Sequence, residues 1–279
     1  MSSLTTFELW GALVPELKLE CIQHLDFIDK IRLRATSTAD RTIVDMEKLK
    51  LKEVSLSDIN YGSIVEFQLE NDEKYKIMSE DESITEGQVV PMFSYLLKNG
   101  IVSNLVLHER KNFTEESIAA LNTEIPFKVT NVKILSLTTQ ALLVLKNLSP
   151  ERLESVEIRE IEDYALFDMV LSFESMKAVK QWKIGASSEM GIPLKLAQDW
   201  IRNDAAVGSK LNYTFTRRGT MQYGDNSNQD GRQRKIIHLV VAGRGRNMQT
   251  ERITMYVIPS SIPPAGREFE SFKHRYGIS

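Results

Sequence analysis

Cys21 and His24 stand three residues apart on a segment patterned as a helix, so a thiol and an imidazole share one face. That spacing suits a nucleophile and its base. Activation, however, needs a third group to orient the imidazole, and no such group is visible nearby. A lone cysteine among leucines is instead expected to pack as a small apolar residue. The other histidines, His108, His238 and His274, form no H-x-x-x-H-type pair, and the chain has no C-x-x-C. No catalytic residue, metal site or cofactor is therefore expected. Gly243-Arg244-Gly245-Arg246-Asn247 resembles a glycine loop only superficially. It lacks the terminal Lys-Ser/Thr of a phosphate-binding loop and precedes a strand-like run, which makes it a turn. Arg217, Arg218, Arg232, Arg234, Lys235, Arg244 and Arg246 form a basic cluster. Such a cluster fits an acidic partner, a phosphate backbone or a solvated rim, and the last is the preferred reading.

The elements that must position these residues belong to an ordinary globular chain. It has 279 residues, 42% hydrophobic and 26% charged, with a net charge of −3. A nucleic-acid protein would carry a strong basic excess, so no nucleic-acid partner is expected. No apolar run is long enough to span a bilayer, and the N-terminal MSSLTTFELW has neither a basic nor a long apolar region. Neither a membrane partner nor a signal peptide is expected. One cysteine excludes an internal disulfide framework and points to the cytoplasm or nucleus. The sequons at Asn112, Asn147 and Asn212 are read as chance matches.

Residues 13–45 read as three short helices. Pro15 suits the first turn of one, with Leu17, Cys21, Ile22 and Leu25 as its apolar stripe. Asp26 caps a second helix carrying Phe27, Ile28, Ile31 and Ala35, and Asp29 lies in its first turn. Ser37 caps a third, and Asp40 three residues on resembles a capping box with a shorter acid. So small a unit hides little core and must lean on the rest of the chain or on a partner.

Beyond it the apolar period changes from helix to strand. Residues 48–56, Ile64–Leu69 and Tyr75–Met78 read as strands, and Val89–Lys98 as a helix stopped by Asn99-Gly100. Strands centred on Val106, Ile134, Val156 and Trp182 then recur roughly every 20–30 residues, as in a leucine-rich repeat. Helix-like stretches lie at Glu115–Leu121, Thr139–Leu148, Tyr164–Phe173 and Leu194–Arg202. No asparagine recurs at the repeat's expected position, so a simple α/β domain with a parallel sheet is the alternative. Leu211–Thr216, Ile236–Ala242 and Ile253–Ile258 suggest an antiparallel finish. Trp182 and Trp200 are expected in the core. Trp10 lies outside that region and needs its own explanation.

Trp10-x-x-Leu13, Pro15-Glu16-Leu17, Leu25-Asp26, Leu33-Arg34 and Thr36-Ser37 together resemble an F-box. PELKLECIQHLD, VDMEKLKLKEVSL and LAQDWIRNDAAVGSKL are similar to a large nematode-expanded F-box family with a C-terminal FTH/DUF38-type domain. Two positions depart from the pattern: Leu13-Val14 replaces Leu-Pro, leaving Pro15 one place late, and Thr38 stands where a basic residue is usual. The resemblance implies an N-terminal tail over 1–9, an F-box over 10–48, connecting strands and a helix over 49–100, a repeat-like substrate-binding domain over 101–258 and a tail over 259–279. The fold class is then α+β, a small three-helix F-box followed by an irregular leucine-rich-repeat-like α/β domain.

By the same resemblance the chain is a non-catalytic adaptor. Its F-box would dock a Skp1-type linker, and through it a cullin–RING ubiquitin ligase, while the C-terminal domain holds a protein substrate. Leu13, Pro15, Leu17, Ile22, Leu25 and Leu33 are the expected contacts or direct supports. The competing reading is a ubiquitin-independent repeat-type interaction module in which residues 13–45 only cap the solenoid. The discriminator is where the apolar face of that stretch points. Burial against residues 50–100 favours the cap, and exposure of Leu13 and Leu25 favours docking. An enzyme reading has only Cys21 and His24 behind it.

Overall fold

The computed structural model describes residues 10–59, 62–78, 86–108, 115–186, 191–216, 235–242, 250–259 and 267. A 3-10 turn, Trp10–Ala12, leads into α1 (Pro15–Gln23), α2 (Phe27–Thr36) and α3 (Thr38–Met46). Local chemistry starts each helix. Pro15 occupies the first turn of α1, where an N–H would have no partner anyway. The Asp26 carboxylate accepts the Asp29 backbone N–H at 2.7 Å and opens α2. Ser37 accepts the Asp40 N–H at 3.1 Å and opens α3. Asp40, a methylene shorter than the glutamate of a full capping box, takes the Ser37 hydroxyl on its carboxylate at 2.7 Å.

Three strands follow as an antiparallel meander: β1 (Leu49–Ile59), β2 (Gly62–Leu69) and β3 (Lys74–Met78). Then come α4 (Glu86–Asn99), β4 (Gly100–His108), α5 (Glu115–Leu121), β5 (Lys128–Ser136), α6 (Thr139–Lys146) and β6 (Ser155–Glu160). The alternation continues with α7 (Tyr164–Ser172), α8 (Glu174–Lys177), β7 (Gln181–Ala186), α9 (Ile192–Arg202) and β8 (Lys210–Thr216), and ends with β9 (Lys235–Ala242) and β10 (Thr250–Pro259). The ten strands among the described residues lie in one sheet, ordered β3-β2-β1-β4-β5-β6-β7-β8-β10-β9. From β1 through β4 to β8 every neighbour is parallel.

That order steps one way across the sheet. With right-handed crossovers, it puts the connecting helices on one face. The buried residues agree, because each strand repeats an apolar-x-x-apolar-x-apolar frame. Leu51/Val54/Leu56, Val102/Leu105/Leu107, Val129/Val132/Ile134, Leu153/Val156/Ile158 and Val179/Trp182/Ile184 are all buried. Equivalent positions pair across strands, so Val54, Leu105, Val132, Val156, Trp182 and Leu211 form one continuous stack. Each repeat closes the apolar face of its neighbour. Gly100 lets β4 start directly at the end of α4, since a Cβ there would run into the Leu96 carbonyl and the Leu51 side chain. Trp182 and Trp200 are both core residues.

Two features go beyond the sequence reading. A short polar ladder does exist. Asn131 Nδ2 donates to Asn104 Oδ1 at 3.2 Å across 27 residues, and Ser155 Oγ donates to Asn131 Oδ1 at 2.7 Å across 24 residues. It lies on the strands rather than at their ends, so it falls outside the usual repeat position. The finish is antiparallel, but β10 sits between β8 and β9 instead of last. Residues 217–234 and 243–249, which carry most of the basic cluster and the glycine-arginine turn, lie outside the described residues.

Candidate functional site

Helices α1–α3 share a small core of Ile22, Ile43 and Val44, flanked by half-buried Trp10, Leu19, Leu25 and Leu33. At its edge lies Asp40. The Trp10 indole Nε1 donates to Asp40 Oδ1 at 2.8 Å, and the Thr36 and Ser37 hydroxyls lie 2.8 and 2.7 Å from Oδ2. Burial pushes the Asp40 carboxyl up, but hydrogen bonds from Ser37, Trp10 and Thr36, with Lys18 nearby, hold it below the usual carboxylate range. The Lys18 ammonium also lies 5.3 Å from the centre of the Trp10 ring. Trp10 is thereby explained as the residue that ties the chain entry to α3.

One face of the unit is fastened to the sheet domain. Phe27 packs edge-on against Phe67 at 4.7 Å and lies 5.1 Å from Tyr75, while Ile31 packs on the main core. The Arg34 guanidinium holds Asp45 through two hydrogen bonds, 2.7 and 3.1 Å, and lies 4.4 Å over the Tyr95 ring on α4. Burial, with Asp45 adding to it and Arg34 opposing, pushes the Tyr95 phenol up to about 12. Lys30 pairs with Glu47 at 2.9 Å.

Elsewhere on the unit several apolar side chains are bare. Val14 is 53% exposed, Leu17 54% and Met46 61%, with Ile28 at 41% and Pro15 also exposed. Of the expected contacts, Leu13, Leu25 and Leu33 are half-buried, and Ile22 is wholly buried in the small core. The stripe expected on α1 is rotated. Cys21 and Leu17 point outward, and the buried positions are Lys18 and Ile22, one turn apart. The packing role expected of Cys21 is therefore corrected: its thiol is exposed, because the buried face of α1 centres on Lys18 and Ile22. His24 is exposed too, and its neighbour at 3.9 Å is Glu20 rather than the thiol. Val14, Ile28 and Met46 carry no sequence signal for exposure, because a lone apolar residue between helices reads equally well as core. Among the described residues no group of three or more His, Cys, Asp or Glu side chains is arranged to hold a metal. Nor is any helix long and apolar enough to cross a membrane.

The sheet offers a second surface, on the side away from the helices. Its row runs Ser55, Val106, Lys133, Glu157, Lys183, Asn212 and Thr254 across seven neighbouring strands, with Ser55, Val106 and Thr254 buried and the middle open. Glu157 lies 3.1 Å from Lys183 and 3.2 Å from Arg159. Asn147, which heads one of the three sequons, donates its amide to the Leu121 and Leu143 carbonyls inside the helical layer.

These features define a small helical unit carried on a βα sheet domain, with one face bolted down and several apolar side chains left to solvent. Residues 10–52 match the F-box domain model, so α1–α3 and the start of β1 are an F-box domain. No curated protein and no solved structure matches the chain.

Proposed function

We propose that this chain is the substrate-recognition adaptor of an SCF-type ubiquitin ligase, with a leucine-rich-repeat-like domain of the FTH/DUF38 type as its target-binding part. The F-box docks a Skp1-type linker and, through it, a cullin–RING ligase. The observation that carries the reading is that the F-box is fastened on one side and leaves several large apolar side chains uncovered elsewhere. Phe27 and Arg34 hold α2 to the sheet domain, while Val14, Leu17 and Met46 are left to solvent. Apolar side chains left bare in this way are what a partner helix buries. Leu13, Pro15, Leu17, Leu25 and Leu33 are assigned to the contact, directly or as its immediate floor, with Ile22 as the buried support.

No chemistry is asked of this chain. It works by position, raising the effective concentration of a bound target at the ligase. A rigid joint serves that task, and the aromatic group of Phe27, Phe67 and Tyr75 supplies one. The single cysteine, exposed and unpaired with another, suits the reducing cytoplasm or nucleus. The test is co-purification with a Skp1 homologue, comparing wild type with the Leu17→Asp/Leu25→Asp variant. Binding by wild type and loss in the variant supports the adaptor; absence of binding by both overturns it.

The same joint favours a second reading. Phe27 is buried in the main core against residues of β2 and β3, as a solenoid cap would be. A ubiquitin-independent repeat-type module predicts no linker binding at all, so the same co-purification separates the two.

A further inference from the structure

Parallel sheets are ordinarily covered on both faces. Here the face away from the helices carries polar residues at alternate positions of β5, β6 and β7, and most are exposed or half-exposed. Its middle has an uneven charge. Lys133, Glu157 and Lys183 stand in register on three neighbouring strands, so consecutive members are about 4.8 Å apart along the sheet. Arg159 stands two residues beyond Glu157 on the same face of β6. Lys183 and Arg159 both close on the Glu157 carboxylate, at 3.1 and 3.2 Å. One carboxylate thus answers three cations, on a chain whose net charge is −3. Lys183 is 65% and Arg159 51% exposed, so their remaining hydrogen-bond donors face solvent.

Neighbouring groups register this field. His108, on the same face, is held below its ordinary value first by burial and then by Lys133 and Arg159, against the opposing pull of Glu53 and Glu66. Burial pushes the Glu157 carboxyl up, yet Lys183, Arg159 and Lys133 bring it below the usual range. The adjacent row, Asn104, Asn131 and Ser155, is neutral and bonded to itself. It adds no charge to balance the lysines.

We propose that this patch, Lys133, Arg159 and Lys183 over β5–β7, is where the chain grips an extended acidic segment, rich in Asp and Glu, of its protein partner. Lys133 and Lys183 are two strand spacings, about 10 Å, apart, which matches residues three apart on an extended segment in the polyproline II conformation, whose three-residue turn returns them to one side about 9 Å apart. Carboxylates at such positions meet the two lysines, and Arg159 offers a planar fork to a third. Glu53, on β1, repels the segment from that side, while Glu66 on β2 is answered by Lys76 at 3.4 Å. The inference rests on the adaptor reading only in naming the segment as part of a target.

The experiment uses the full chain and a fluorescein-labelled peptide built of Asp-x-x-Glu units. An Asn/Gln version of it, a Lys-rich peptide and a single-stranded oligonucleotide serve as competitors, read by anisotropy. Wild type is expected to bind the acidic peptide, more weakly as salt rises. The Lys133→Glu/Lys183→Glu variant is expected to lose at least about tenfold in affinity and to gain affinity for the Lys-rich peptide. Its thermal midpoint is expected to fall modestly, because three carboxylates then stand in register, while it stays folded and its capture of a Skp1 homologue is unchanged. Acidic-peptide binding that is absent, or equal in wild type and variant, overturns the proposal. So does tighter binding of the oligonucleotide through the same lysines. Failure of wild type to capture the Skp1 homologue bears on the adaptor reading alone.

Discussion

Trp10 Nε1 donates to Asp40 Oδ1 at 2.8 Å, across 30 residues of chain, and so ties the start of the F-box to its third helix. Asp40→Ala takes this acceptor from the indole N–H and the Ser37 hydroxyl, while Thr36 keeps the Leu33 carbonyl at 2.7 Å. A loss of about 2 kcal/mol is expected, measured by urea unfolding of the full chain. The pH dependence follows from a carboxyl held low in the folded state. Its contribution is fully present above the unfolded value of about 3.9 and disappears as pH falls through the folded value. Wild type and Asp40→Asn are therefore expected to differ by a constant amount from pH 5 to 7 (about two pH units) and to converge in stronger acid. A difference that widens in acid would reject the assignment.

The joint between the F-box and the sheet rests on Phe27. Replacing it by alanine opens a cavity against Phe67 and Tyr75 and is expected to cost about 3–4 kcal/mol. Hydrogen exchange should rise first in α2. If exchange rises equally in β5–β7, the joint is not a separate unit of stability.

Tyr95 gives an alkaline counterpart. Its phenol is pushed up to about 12, chiefly by burial and further by Asp45. A group raised on folding contributes stability that is whole below the unfolded value of about 10 and is lost as pH rises through the folded one. Spectroscopic titration should find one tyrosine ionising near 12, and Asp45→Asn should lower that step. Asp45→Asn also removes the partner of Arg34, so Tyr95→Phe, in which the step vanishes, fixes the assignment.

Exposed and buried leucine-type positions of α1 separate docking from folding. Leu17→Asp, at a position 54% exposed, is expected to shift stability by less than about 0.5 kcal/mol while lowering affinity for a Skp1 homologue at least about tenfold. Ile22→Asp, in the closed core, is expected to unfold the F-box and to lose binding for that reason. Calorimetric titration beside circular-dichroism melts distinguishes the two. A folded Leu17→Asp chain that binds as tightly as wild type would remove Leu17 from the contact.

Local signals alone determined much of this protein. Asp26 and Ser37 cap α2 and α3 because a side-chain oxygen three residues before a free N–H is chemistry within one turn. The alternation of strand and helix was readable for the same reason, since period-2 and period-3.6 patterns are properties of neighbours. The repeated frame was also present, in Val102-x-x-Leu105-x-Leu107 and its counterparts. Its Val and Ile, where a repeat is expected to carry leucine, hid it until the strands were laid in register. What only the tertiary structure decided are relations between distant segments. Whether Leu17 or Lys18 faces inward on α1 depends on Trp10, which sits where the Lys18 stem can cover it. The place of β10 beside β8, rather than beyond β9, is a choice among strand pairings that alternation cannot rank. Lys133, Glu157 and Lys183 lie far apart along the chain and become one charged row only when three repeats stack, because stacking, not sequence distance, sets which side chains meet.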